Sequence, residues 1–224
     1  MKNSSGILLV DKKAGSTSFR LVSLLRRLTQ IQKIGHAGTL DPFATGVMVM
    51  LIGSEYTKKS DQFLLCDKQY KATFHLGITT DTYDIEGKII AQSDKIPTHA
   101  EVEIALNSFQ GSFLQTPPMF SAKKVQGQKL YDLARQGISI PRAPVQVNVK
   151  IEILRYEYPS LELLIDCSKG TYIRSLAFDL GELLGTGAHV SKLIRTKSGA
   201  FTLAECIPES YLEDLNYTPI LKEL

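Results

Sequence analysis

At 224 residues, 43% hydrophobic and 22% charged, the chain is composed like a globular protein large enough to bury a substantial core. The longest apolar run, residues 47–52, is six residues and cannot span a bilayer, and the N-terminal run at 7–10 is too short for a signal-peptide core. Three widely spaced cysteines without a C-x-x-C pair read as reduced thiols of a cytoplasmic protein, and four scattered histidines offer no metal-site spacing.

The net charge of +3 is small but unevenly placed. Residues 116–150 hold six basic side chains (Lys123, Lys124, Lys129, Arg135, Arg142, Lys150) against one acidic, Asp132, which leaves the rest of the chain slightly acidic. A basic segment on such a body suits a polyanion such as nucleic acid, although on charge alone a solvated face fits as well.

In chain order, a short strand at 7–10 is followed by Leu21, Leu24, Leu25 and Leu28 at helical spacing, a helix that Thr17 or Ser18 can cap. A Gly- and Pro-containing loop at 35–46 feeds an apolar strand at 47–52, and 54–65 reads as a helix. Tyr70, Ala72, Phe74 and Leu76 alternate with Lys71, Thr73 and His75, the pattern of a half-buried strand. Thr98 and Glu101 form a capping box ahead of Val102, Ala105, Leu106 and Phe109. The 116–128 stretch reads as a long loop, and the short helix after it ends at Gly137. Val145, Val147, Val149, Ile151 and Ile153 alternate strictly with polar residues, and 161–167 is the natural partner strand. Ile173, Leu176, Ala177, Leu180 and Leu184 then mark a helix that stops at Gly185. Strands interrupted by separate helices, with no linker or repeat, predict one α+β domain over 1–224 with a largely antiparallel mixed sheet flanked by helices.

The segment richest in chemistry is GHAGTLDPFATG at 35–46. Pro42 fixes its own φ and holds Asp41 extended, so a stiff turn presents one carboxylate just before a buried strand. On composition alone, an Asp-Pro turn without function fits this too.

That string is similar to the signature loop of the TruB-type tRNA pseudouridine synthases. The chain also resembles that family in GILLVDK at 6–12, KQYKA at 68–72, SAKKVQGQKLYDLARQG at 121–137, CSKGTYIRSL at 167–176 and GAHVSKLIRT at 187–196. The resemblance implies the pseudouridine-synthase catalytic fold and a cofactor-free isomerisation of uridine 55 in the tRNA T-loop. The N1–C1′ bond is cut, the flipped uracil turns, and C5 is rejoined to the sugar; extrusion of the base costs a few kcal/mol. By the same resemblance Asp41 is the nucleophile, Arg174 its ion-pair partner, and Tyr70 stacks on the uracil and assists proton transfer. His36 fills the gap left by the flipped base, and Tyr172 and Leu193 line the uracil pocket. Three roles fit the carboxylate: attack on the base, attack on the sugar, or removal of a sugar proton.

Residues 116–145 match the family's thumb-like insertion, where Lys123, Lys124 and Lys129 would meet RNA phosphates. The expected partner is the tRNA T-arm, bound by a monomer, with a tRNA-folding role able to coexist with activity. Two departures from the family pattern stand out: Lys12-Lys13 replaces the common Lys-Pro, and no sequence for a C-terminal PUA domain follows the catalytic region. A carboxylate-based nucleoside hydrolase is the competing enzyme class, but the motifs supply no second catalytic carboxyl.

Overall fold

The computed structural model describes residues 5–121, 123–125 and 127–222. They form two compact units: residues 1–71 with 193–224, and residues 72–192. The elements follow in chain order as β1 (Gly6–Lys12), α1 (Ser18–Thr29), β2 (Ile34–Ala37), β3 (Thr45–Ile52), α2 (Ser54–Lys58), α3 (Ser60–Leu64) and β4 (Lys68–Leu76). Next are β5 (Ile78–Thr80), β6 (Ile89–Gln92), α4 (His99–Asn107), β7 (Gly111–Gln115), β8 (Lys124–Val125), β9 (Gln128–Lys129) and α5 (Leu130–Arg135). The chain ends through β10 (Val145–Glu157), β11 (Ser160–Cys167), α6 (Ile173–Leu184), β12 (Ala188–Ser198), β13 (Phe201–Thr202) and β14 (Ile207–Pro208). This is an α+β fold.

In the first unit the strand order is β14-β1-β3-β12, with β2 also paired to β3. The β1–β3 and β2–β3 pairs are antiparallel, whereas β1–β14 and β3–β12 are parallel, so the sheet is mixed. β1 and β3 are buried almost throughout, as strands covered on both faces must be. One face packs Ile7, Leu9, Val47, Val49 and Leu51 with Tyr56 and Phe63 of the short helices. On the other, Met48 meets Ser18 of α1, with the hydroxyl 4.0 Å from the sulfur.

Helix α1 forms where the leucine spacing predicts it, and the Thr17 side chain accepts from the Arg20 amide as N-cap. The 54–65 stretch is two short helices rather than one. The Thr57 amide and hydroxyl both donate to the Gly53 carbonyl at 3.1 Å, so the first turn keeps its helical bond, and the helix breaks after it at Lys59. Part of the expected 35–46 loop is also strand, since β2 pairs Ile34–Ala37 with Ile52–Val49.

The second unit has the order β4-β11-β10-β7. β10 alternates as its sequence demands, with Val147, Val149 and Ile151 buried and Gln146, Asn148 and Lys150 exposed. It pairs antiparallel with both β11 and β7. Thr98 and Glu101 close the capping box of α4, and α6 ends with Gly185 as its C-cap. Within 116–128, expected as loop, β8 starts a two-stranded hairpin with β9, and α5 follows it.

A distinctive tie in the first unit involves Lys13. Its amide donates to Oε2 of Glu209 at 2.9 Å, and the Ser16 hydroxyl donates to Oε1 at 2.6 Å. The Glu209 side chain is fully buried, and Arg20 lies 3.5 Å from it. Lys13→Pro removes that amide donor and leaves a buried carboxylate oxygen short of one partner. The variant is expected to lose about 1–3 kcal/mol of stability, measured by urea denaturation.

Candidate active site

Asp41 sits in the first unit on a loop whose backbone is held residue by residue. The carbonyls of Gly38 and Thr39 accept from the Arg195 guanidinium at 3.1 and 3.5 Å. Ser18 Oγ donates to the Leu40 carbonyl at 3.1 Å and accepts from the Leu40 amide at 3.0 Å. The Asp41 carbonyl accepts from the Ala44 amide at 3.1 Å, closing a turn with Pro42 in the position that favours proline. The Pro42 carbonyl accepts from Lys12 Nζ at 3.1 Å and from the Gly15 amide at 2.9 Å. Five consecutive carbonyls, Gly38 to Pro42, thus each have a donor. Leu40 and Ala44 are buried beside a half-buried Asp41, so packing and hydrogen bonds fix the segment together.

Two glycines make the loop's path feasible. Gly38 adopts a φ of +88°, and Gly46 a φ of +104° where its α-carbon faces the Arg195 backbone. A Cβ at position 46 would stand 2.3 Å from the Arg195 carbonyl oxygen, so no larger residue fits.

The two cations of this site carry no surface signature. Lys12 and Arg195 are 0% and 1% exposed. Lys12 Nζ also donates to the carbonyls of Ser16 at 2.6 Å and Lys13 at 3.0 Å. Sequence reasoning missed both as site residues. Arg195 does leave one trace: it shares the inward parity of its alternating strand with buried Leu193.

His36 is half-buried on β2, and its Nδ1 is buried with no hydrogen-bond partner among the described residues. Burial and, second, the Arg195 charge hold its pKa below the ordinary histidine value, which favours a neutral ring. Tyr70 is half-buried on β4, and Leu193 is buried on β12. His36, Asp41, Tyr70 and Leu193 all belong to the first unit.

Tyr172 and Arg174 belong to the second unit, at the start of α6. Gln115, fully buried, accepts from the Tyr172 amide at 2.8 Å and donates to its carbonyl at 3.0 Å, which fixes where that helix begins. Arg174 Nε lies 3.5 Å from Asp84 Oδ2, with both side chains 5% exposed. Its other nitrogens donate to the carbonyls of Thr82 at 3.1 Å and Phe120 at 2.7 Å. Asp84 is itself oriented by the Thr82 hydroxyl at 2.6 Å and the Glu86 amide at 3.1 Å. Sequence reasoning named Arg174 but missed Asp84 and Gln115. Lys123 is half-buried, and the side chains of Lys124 and Lys129 lie outside the described part of the structure. All three cysteines are free thiols.

The architecture is similar to a solved Cbf5-Nop10-Gar1 complex, with a TM-score of 0.72, 28% identity, and coverage of 93% of this chain and 54% of that one. A second likeness is to an H/ACA RNP bound to a substrate RNA containing 2′-deoxyuridine, at TM-score 0.68 and 26% identity, covering 93% and 52%. The chain thus spans about half the length of those solved chains. The fold class is that of the pseudouridine synthases.

The model of the TruB family pseudouridylate synthase N-terminal domain matches residues 26–173, and that of the tRNA pseudouridylate synthase B C-terminal domain matches 174–222. The chain therefore belongs to the TruB family. Among its relatives, the tRNA pseudouridine synthase B of Protochlamydia amoebophila is 59% identical over 202 residues, 90% of this chain and 77% of the relative. That of Chlamydia trachomatis serovar L2 is 54% identical over 220 residues, 97% and 91% of the two chains.

Proposed function

We propose that this chain is a tRNA pseudouridine synthase, an isomerase that converts uridine 55 of the T-loop to pseudouridine, with Asp41 as the essential carboxylate. The observation that supports this is the run of five held carbonyls, Gly38 to Pro42, which fixes the backbone from which the Asp41 carboxylate projects. An oriented group of this kind contributes to rate because no reorganisation is needed at the moment of reaction. The high identity to enzymes named tRNA pseudouridine synthase B supports the substrate.

In this scheme the uracil leaves C1′ through N1 and returns through C5, so the RNA keeps its atoms. The motif match assigns Arg174 to the carboxylate as its cation, and Tyr70, Tyr172 and Leu193 to the uracil pocket. A neutral His36 with an open Nδ1 takes the space that the flipped base vacates. The catalytic domain spans 1–224, with 116–145 as a thumb-like insertion on the T-arm. The protein acts as a cytoplasmic monomer. Among the described residues, no helix is long and apolar enough to cross a membrane.

Incubation of T-arm RNA with the purified protein tests the reaction type. Isomerisation leaves the RNA mass unchanged, whereas a hydrolase would add water at C1′, release free uracil and lower the RNA mass by that of uracil less one water. The insertion has a separate test. Replacing Lys123 and Lys124 together by Ala is expected to lower the log–log salt slope of tRNA affinity by about one to two units, because each phosphate that a lysine neutralises releases about one counterion. An unchanged slope assigns both lysines to a solvated face.

A further inference from the structure

Of the two buried cations beside the Asp41 loop, neither has a role in the proposed reaction, and Arg195 is the one that holds the loop on both sides of Asp41. Arg195 is 1% exposed, so it cannot touch RNA. Its Nε donates to the Val47 carbonyl at 2.7 Å, and its Nη atoms donate to Gly38 and Thr39. Nη2 also lies 3.1 Å from the Met48 sulfur. Its own backbone is paired in register with Gly46. One residue therefore grips the chain on both sides of Asp41, at 38–39 before it and at 46–47 after it.

Among the described residues, those hydrogen bonds reach carbonyls and a thioether but no carboxylate. A buried cation held only by dipoles is a costly way to fill space, and an apolar side chain would fill it without the desolvation penalty. What the guanidinium adds is a rigid planar fork with several donors at fixed angles, which neither an apolar side chain nor a lysine supplies. Its geometry is aimed at the two ends of one loop.

We propose that Arg195 is a positioning residue: its buried guanidinium clasps both ends of the Gly38–Val47 loop and sets the orientation in which Asp41 is presented. This rests on the isomerase function proposed above. The clasp acts through Asp41, not on the substrate, so its loss lowers turnover and spares RNA binding. The same charge faces His36, whose pKa it depresses after burial has done so, and that provides a reporter independent of catalysis.

The test compares Arg195→Lys and Arg195→Met with the unaltered protein. Steady-state kinetics and direct tRNA binding are measured at one salt concentration, and the His36 ring is titrated by NMR. Arg195→Met is expected to lose about a hundredfold in kcat, the scale of a misplacement near one ångström, with KM and tRNA affinity within about threefold. Arg195→Lys keeps the charge but not the fork, and is expected to lose about tenfold in kcat. The His36 titration should move up in the Met variant and stay near its original place in the Lys variant. Should the Met variant not unfold cooperatively, the Lys variant decides. A kcat within twofold of the unaltered protein, or a loss confined to KM, overturns the clasp. If the unaltered protein makes no pseudouridine, the proposed function fails, while an unchanged His36 titration in the Met variant together with unchanged Gly38 and Thr39 amide shifts in both variants would separately overturn the clasp.

Discussion

Asp41→Asn is expected to reduce pseudouridine formation by at least about a thousandfold, equivalent to about 4 kcal/mol of transition-state stabilisation. Asn has nearly the size and shape of Asp, and the loop around it is held through backbone groups that the substitution does not touch. The fold and tRNA affinity should therefore survive. What disappears is the anionic oxygen: an amide is not a competent nucleophile or base. Single-turnover assays with excess enzyme, alongside a binding isotherm, separate the two quantities. Appreciable turnover by a sequence-verified variant would remove Asp41 from the mechanism.

Arg174 should give the second-largest effect, and here stability falls as well as rate. The guanidinium is nearly inaccessible and divides its donors between Asp84 and the carbonyls of Thr82 and Phe120. Arg174→Met strips a buried carboxylate of its cation, a change that costs about 3–5 kcal/mol in comparable buried pairs. Arg174→Lys keeps the charge, but a single ammonium cannot reproduce the three-way fork. Lysine is expected to fold with a smaller loss of about 1–3 kcal/mol, and to turn over about a hundredfold more slowly through misplacement. Urea denaturation and kcat on the same preparations check both. A lysine variant with unaltered kcat would show that charge alone matters at this position.

The elements most legible in the sequence are those that repeat a simple physical rule over many residues. Helix α1 follows from leucines at helical spacing and a Thr17 cap, α4 from its capping box, and β10 from strict alternation. β2 is not legible, because four residues containing a glycine and a histidine show no periodicity, and only the partner strand β3 makes them a strand. The break at Lys59 is hidden because no glycine or proline in 54–65 marks it.

The site divides along the same line. Asp41 and His36 stand in a contiguous motif. Lys12 and Arg195 act through backbone carbonyls distant in sequence, which no side-chain pattern records. Asp84 stands in a short polar stretch without periodicity, though it is buried against Arg174, 90 positions along the chain.

The most direct test of the central claim is to map pseudouridine at single-nucleotide resolution. Unmodified tRNA is incubated with the purified protein, derivatised with a carbodiimide that marks pseudouridine, and read by reverse transcription. The expected result is a single strong stop reporting position 55 of the T-loop, absent when Asp41→Asn replaces the unaltered protein. No stop at position 55 with active, folded protein, or an equal stop with the Asn variant, would contradict it.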